Sequence, residues 1–535
     1  MTCPKLHRLL LMFAAFLLPL TTLLQAQTYT DLHDFDETDG CCAYYPSLLA
    51  QGRDGNIYGT TSSGGIHLYG NVFKITPTGT ITDLHDFDFT DGAGPYSGLS
   101  LGTDGNFYGT TYQGGTHSRG TIFKITPAGG FTLLYSFSDT GDGGYPKTPP
   151  VQAQDGSLYG ATGNATNYVL YKLTTAGVFS VVATLPGQSY APLLLGTDGN
   201  LYGTTLYGGT YNGGVVFQFS PATKLLKTIF NFHTEWSPYA PLIQAADGFL
   251  YGTTTSGGTG SGGVVYKIST AGVYKVLFNF STTNSANGAS SFAGLVQGSD
   301  KFLYGVTSAG GANGQGVLFK ISTAGTGFTV LHNFITATGD TPYSTPLLHT
   351  NGKIYGLAYH GGTKAPYGMV YSFDNSLKPF VTTVVTKSAK VGASVQILGQ
   401  GFNTATGVLF GTGAGTFTKA NDTFLTAKIV AGAITGQITV QEPGGNLLTP
   451  AKFKITPTIT SFTPTSGTVG SQVVITGMSL TGATAVKFGG IAATVFTVDS
   501  NTQITADVPS GAVTGKIAVI TPGGTANSTT NFTVN

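Results

Sequence analysis

The feature that most constrains this chain is a phrase it keeps repeating. "DGNIYGTT" (54–61) returns as "DGNFYGTT" (104–111), "DGNLYGTT" (198–205) and "DGFLYGTT" (247–254). Looser copies bring the phrase tyrosines to seven: Tyr58, Tyr108, Tyr159, Tyr202, Tyr251, Tyr304 and Tyr355. Their spacing is about 50 residues, the size of one supersecondary unit. Such a unit cannot bury its apolar face alone and must pack on its neighbours.

A second phrase follows each copy, among them "VFKI" (72–75), "IFKI" (122–125), "VFQF" (216–219) and "VYSF" (370–373). A third, such as "LHDF" (84–87), "LYSF" (134–137) and "LHNF" (331–334), follows where the chain continues. A short apolar run often opened by Pro, as in "PLLLG" (192–196), comes before. These segments are rich in β-branched and aromatic residues and bounded by turn residues, so each unit spells four strands. In "VFKI" the Phe and Ile share one face and the Val and Lys the other. Four strands per unit is the pattern of a propeller blade. Seven units predict an all-β fold that begins with a seven-bladed β-propeller over residues 27–375.

A lone "LHDF" (32–35) stands ahead of the first unit, and the seventh unit has no third phrase after Phe373. The N-terminal strand is therefore expected to complete the last blade, which removes an exposed sheet edge. The opening phrase then has a packing role. Asp–Gly makes the tight turn into the strand. The Leu, Ile or Phe and the Tyr supply apolar area on opposite faces. The Gly after Tyr admits a neighbouring ring or backbone. A residue repeated in every unit of a ring is not expected to be the catalyst.

The combination "DGNLYGTT…GG…GVVFQFSP" (198–221) resembles the GloVer tandem repeat of secreted bacterial proteins, over about residues 28–375. The resemblance implies a propeller-like, extracellular protein and carries no catalytic residues to transfer.

After Asn375 the vocabulary changes. A linker (376–380) leads into two tandem units, 381–455 and 456–535. One reads "VGASVQILGQGF" (391–402) and "TGQITVQEPGG" (435–445); the other reads "VGSQVVITGMSL" (469–480) and "TGKIAVITPGG" (514–524). Alternating apolar residues and turn glycines predict two small β-sandwiches. The second, through "ITSFTPTSGTVGSQVVITG" (459–477), "AVKFGG" (485–490) and "ITADVPSGAVTGKIAV" (504–519), closely resembles an IPT/TIG domain, an immunoglobulin-like fold. The first is a degenerate copy, with "FGTGAG" (410–415) where the pattern has "FGG". The resemblance implies spacers or interaction modules and no active site.

Residues 1–26 carry Lys5 and Arg8 ahead of an apolar run and end in Ala26, the pattern of a secretory signal peptide. Pro19, Thr21 and Thr22 interrupt the run, so it is a poor membrane span, and no later stretch reaches transmembrane length. Removing Lys5 and Arg8 from the 25 basic residues leaves 23 against 24 acidic ones. A near-neutral chain without a basic stripe argues against nucleic acid as a partner.

Few residues suggest chemistry. Cys41 and Cys42 are adjacent, so they cannot staple distant elements. His33, His85 and His332 take the second place of the third phrase, where Tyr135 and Phe278 stand in other units, which suggests packing. His67, His117 and His360 lie near the "GG" loops of different units. The acidic loops "DFDETDG" (34–40) and "DFDFTDG" (86–92) hint at calcium but miss the usual loop spacing, so no cofactor is expected. Glu235 beside Trp236, the only Trp, is the most distinctive unrepeated pair in a blade-connecting loop and the candidate ligand-binding site. No catalytic motif is present.

The sequence thus predicts a secreted seven-bladed β-propeller followed by two immunoglobulin-like sandwiches. The expected role is non-catalytic binding of an extracellular glycan or protein. The alternatives are a polysaccharide-active enzyme with unrepeated acids in the channel, or a structural envelope protein.

Overall fold

The computed structural model describes residues 27–42, 48–138, 140–164, 167–233 and 237–535. The leader (1–26) lies outside them. Strand makes up 47% of the chain and helix 2%, as the period-two patterning requires. No helix among the described residues is long and apolar enough to cross a membrane.

The N-terminal strand is β1 (Thr28–Asp34). The first sheet follows as β2 (Ala50–Gln51), β3 (Ile57–Thr61), β4 (Asn71–Ile75) and β5 (Ile81–Asp86), antiparallel and in chain order. Five more sheets repeat this order. The seventh combines Leu347–Leu348, Ile354–Ala358 and Met369–Asp374 with β1, which pairs antiparallel with Met369–Asp374. The expectation for "LHDF" (32–35) is met.

The cores lie between sheets. Tyr58 packs with Phe107 and Phe123 of the second sheet, and its ring stacks on Phe107 at 4.0 Å. Ile57, one residue earlier and on the opposite face, packs with Phe35, Tyr355 and Val370 of the seventh sheet. Every consecutive pair of sheets shares such a cluster, and the last shares one with the first. Leu48 bridges both Gly98 and Thr345, so the first sheet neighbours the second and the seventh. A bulge recurs in the outermost pairing, as between Val72 and Phe73, and adds twist there. The Gly after each Tyr is explained by contact: a Cβ on Gly59 would lie 2.5 Å from the tip of Phe73, and one on Gly203 2.5 Å from Phe217.

The two C-terminal units differ. The second is a sandwich of a four-stranded and a five-stranded sheet over Val473, Ile475, Phe488, Ile517 and Phe532. The first, expected as a sandwich, is a seven-stranded sheet with a small parallel pair, Ser388–Ala389 and Lys454–Ile455, beside it. Its outer segments meet where Val381 N–H donates to Leu448 O at 3.2 Å, so it curls nearly shut around Val395, Phe410 and Ile438. The cause is the departure at "FGTGAG". Gly413–Lys419 runs unbroken and pairs with both Gly407–Phe410 and Phe424–Ile429. In the second unit the matching stretch is split into Ile491–Ala492 and Phe496–Ser500, one in each sheet.

The first C-terminal unit docks on the end of the sheets where the Asp–Gly turns lie. Arg53 Nη2 donates to Gln396 Oε1 at 2.9 Å, and its guanidinium lies over the Phe424 ring at 4.5 Å. Thr423 Oγ1 donates to Arg53 O at 2.7 Å. Thr350 Oγ1 donates to Gly399 O at 3.1 Å and accepts from Gln400 Nε2 at 2.9 Å.

Candidate functional site

Each first strand has two ends. The Asp–Gly turn closes one, and each phrase hydroxyl reaches back to it. Tyr58, Tyr108, Tyr202 and Tyr304 donate to Asp54, Asp104, Asp198 and Asp300 at 2.7–2.9 Å. In the seventh sheet Asn351 takes the acid's place and donates to Tyr355 Oη at 2.9 Å. These tyrosines are consumed by the fold, as the packing role predicts.

The other end is different. The loop that enters the first strand carries an aromatic residue in the second to seventh sheets: Tyr96, Tyr145, Tyr190, Tyr239, Phe292 and Tyr343. Tyr112 and Tyr359 follow the second strands of their sheets. All eight are half-buried. They form a chain of neighbours across the sheets, with ring centroids 5.2 Å apart for Tyr96–Tyr112 and 5.3 Å for Tyr112–Tyr145. The chain continues with 5.0 Å for Tyr190–Tyr239, 5.1 Å for Tyr239–Phe292, 5.1 Å for Phe292–Tyr343 and 5.4 Å for Tyr343–Tyr359. Lys147 spans the step between the two runs, its Nζ 3.8 Å from the Tyr190 ring centre and 5.4 Å from that of Tyr112. Arg119 lies over Tyr145 at 5.2 Å and donates to its hydroxyl. The result is an aromatic collar with two cations set in it.

Backbone geometry holds the collar rigid. The residue two places before the aromatic has positive φ in five loops: Gly94 (62°), Gly143 (90°), Ser237 (42°), Ser290 (57°) and Thr341 (52°). For the non-glycine residues that conformation costs on the order of 1 kcal/mol or more. Hydrogen bonds offset it from both sides. Gly94 N–H donates to Tyr69 O of the preceding sheet at 2.9 Å, while Gly94 O accepts from Tyr112 N–H at 2.9 Å. Ser290 is clamped likewise between Gly262 O at 2.9 Å and Ser308 N–H at 3.1 Å. Strain at the same place in the loops of Tyr239, Phe292 and Tyr343 marks a site. Burial pushes the Tyr190 hydroxyl up to about 12 and the Lys147 ammonium down to about 8.

Glu235 and Trp236 lie outside the described residues. The collar was missed in the sequence, although its aromatics stand at a near-constant distance ahead of each phrase tyrosine. The histidines of the third phrase pack as aromatics: His85 stacks on Phe131 at 3.9 Å and His332 on Tyr29 at 3.9 Å. Tyr135 on Phe179 and Phe278 on Phe328 do the same, at 4.1 and 3.9 Å. His67 and His117 are exposed, and His360 sits 3.9 Å from Asp340 and 4.1 Å from the Tyr359 ring. The Cys41 and Cys42 thiols are 2.7 Å apart.

The acidic loops form turns. Asp36 and Asp88 each accept from Thr38 or Thr90 Oγ1 at 2.6 Å and from the backbone ahead of them. The Lys364 ammonium, 2.8 Å away, and Thr38 hold Asp36 well below the usual carboxylate range. Asp39 and Asp91 each lie 2.7 Å from a histidine, His33 and His85. Among the described residues no three His, Cys, Asp or Glu side chains gather to hold a metal ion.

At the docked end a cavity of about 300 Å³ lies between the first strands and the first C-terminal unit, lined by Ile243, Val296, Leu347, Phe380 and Lys387 among others. Burial lowers the Lys387 ammonium there. The docked unit thus covers the end of the first strands remote from the collar.

A family model described as the Gloeobacter/Verrucomicrobia repeat matches residues 20–169, 141–297 and 281–484, and an IPT/TIG domain model matches 457–534. No curated protein matches the chain. Among solved structures it is similar to a surface glycan-binding protein of Prevotella bryantii, at 18% identity and TM-score 0.22, over 28% of this chain and 38% of that one. A glycan-binding protein from a xyloglucan utilization locus of Bacteroides uniformis aligns at 22% and 0.16, over 29% and 48%. The chain spans less than half the length of either. An oligogalacturonate lyase of Vibrio parahaemolyticus aligns at 13% and 0.45, over 66% and 98%.

Proposed function

Since the chain belongs to the Gloeobacter/Verrucomicrobia repeat family and carries an IPT/TIG domain, we propose that it is a secreted glycan-binding protein whose seven sheets are the blades of a β-propeller. In this reading residues 27–375 bind, the linker 376–380 leads to the curled sheet of 381–455, and the unit at 456–535 is an immunoglobulin-like module. The observation that carries it is the aromatic collar.

The chemistry follows from the rings. Tyrosine offers a flat, rigid, amphipathic surface and loses little entropy on binding, having only two side-chain torsions. The apolar C–H face of a sugar ring lies on such a surface, while the phenol hydroxyls meet the sugar's hydroxyl edge. A row of rings 5.0–5.4 Å apart offers several such platforms in sequence. A ligand arriving at the collar meets the docked unit at the far end of the first strands, which favours a chain end or a side branch over a threaded polymer. Hydrolysis needs two placed carboxylates, and none is among the side chains of the described collar.

The full chain is expected to bind one or more members of a polysaccharide panel saturably, and Tyr190→Ala with Tyr239→Ala to weaken that binding at least tenfold. Circular dichroism and thermal unfolding of the same variants report whether the ring still folds. Unchanged binding by a folded double variant overturns the collar as the site.

A further inference from the structure

The collar's most unusual member is Lys147. It extends from "GYPKT" (144–148), between the two runs of rings, and its ammonium rests 3.8 Å above Tyr190 and 5.4 Å from Tyr112. Among the described residues no carboxylate lies within ion-pair distance of it and no acceptor receives its protons. The acid of its own loop, Asp142, is already engaged. Asp142 Oδ2 accepts from Tyr135 Oη at 3.0 Å and from Ser138 N–H at 2.7 Å. A half-buried ammonium held only by ring faces has lost much of its hydration without an anion to replace it. Arg119 adds a second cation on the same arc.

We propose that the collar selects acidic glycans, with Lys147 taking the anionic group of a sugar whose ring stacks on Tyr190 or Tyr112. This rests on the glycan-binding reading above and names its substrate class. A bound carboxylate or sulfate supplies the partner the ammonium lacks, in surroundings where the ion pair is screened less than at the open surface. Desolvation alone lowers this ammonium to about 8, and an anion seated on it restores the charged form. Neighbouring rings keep the pair positioned and carry the neutral part of the affinity. The two sources of such a charge, uronate carboxylates and sulfate esters, share this chemistry.

The test is calorimetric titration of the full chain with polygalacturonate, alginate and hyaluronan, each beside its carboxyl-reduced neutral counterpart, and with dextran sulfate beside dextran. Wild type is expected to prefer at least one acidic polymer over its neutral partner by tenfold or more, with the preference shrinking as salt rises. Lys147→Met is expected to abolish the preference while keeping the residual neutral affinity, and Lys147→Arg to keep it. Preference confined to the uronates or to dextran sulfate identifies the anion. Equal binding of acidic and neutral partners, or a preference intact in folded Lys147→Met, overturns the proposal and leaves the collar as a neutral glycan site. Binding that is lost with Tyr190→Ala but indifferent to charge overturns it in the same way. Absence of binding to every polymer by wild type overturns both readings.

Discussion

At one end of the ring the turns around Asp54, Asp104 and Asp300 lie against or beside a C-terminal unit; at the other, Tyr190, Tyr239 and Tyr343 stay half exposed. Both ends are made by the same seven repeats. The repeated residues at the first end spend their polar groups on one another, tyrosine to aspartate within each sheet. What remains for docking is supplied by residues that do not repeat: Arg53 and Thr350 on the ring, Gln396 and Thr423 on the unit. At the second end the repeated aromatics meet one another edge to edge or at a tilt and stay half exposed. There the unrepeated residue is Lys147. A repeat builds the frame and the exceptions to it give each end its use.

The largest effect that sets the ends apart is expected with pH. His349 is 1% exposed, its Nε2 donates to Gly55 O at 3.0 Å across the seam between seventh and first sheets, and its Nδ1 accepts from Asn351 N–H at 3.2 Å. Burial lowers its imidazole from 6.5 to about 4. The unfolded chain therefore takes up this proton first as the solution is acidified. The stability that the neutral ring permits is intact above pH 6.5 and lost between 6.5 and 4, about 3 kcal/mol over the window. A proton on Nδ1 would also face the Asn351 N–H, donor against donor. His349→Gln is expected to flatten this loss, read as a smaller fall in the urea midpoint between pH 7 and pH 4.5. His332, lowered to about 4 by burial against Tyr29, gives both proteins a shared remainder. An identical fall in both would remove His349 from the seam's acid response.

Arg53→Ala comes next. It deletes the bond to Gln396, the ring contact with Phe424 and a bond to Thr103 O at 2.5 Å. About 2 kcal/mol of coupling between ring and unit is expected to go, seen in calorimetry as a unit that melts ahead of the ring. Glycan affinity at the far collar should not change. If affinity falls with docking, the two ends are not independent.

Tyr202→Phe is expected to cost about 1–2 kcal/mol, the hydrogen bond it donates to Asp198 and the one it accepts from Gln218 Nε2 at 2.8 Å. Asp198 keeps Asn200 N–H at 3.1 Å and Asn200 Nδ2 at 2.9 Å, so its charge is not orphaned. The loss should appear as a small drop in midpoint with docking intact. A loss of several kcal/mol would mean that the Tyr–Asp bonds act as one network around the ring.

Much of the frame could be read from residues alone. The seven tyrosines, the unpaired "LHDF" (32–35) and the Gly after each Tyr determined the number of sheets, their closure by β1 and the faces that pack. His85 and His332 were legible as packing residues because Tyr135 and Phe278 replace them. "FGTGAG" was visible as a departure, but its consequence was not: whether Gly413–Lys419 joins two sheets or breaks between them depends on strands it meets only in space. Local chemistry with a fixed period, turn residues and alternation, needs no partner to be interpreted, so the sequence by itself determined the strands, the units and their order. The collar, the bare ammonium of Lys147 and the covered end were decided only by the tertiary structure. Their residues lie tens of positions apart along the chain, and only the packing of consecutive sheets brings Tyr112, Lys147 and Tyr190 together.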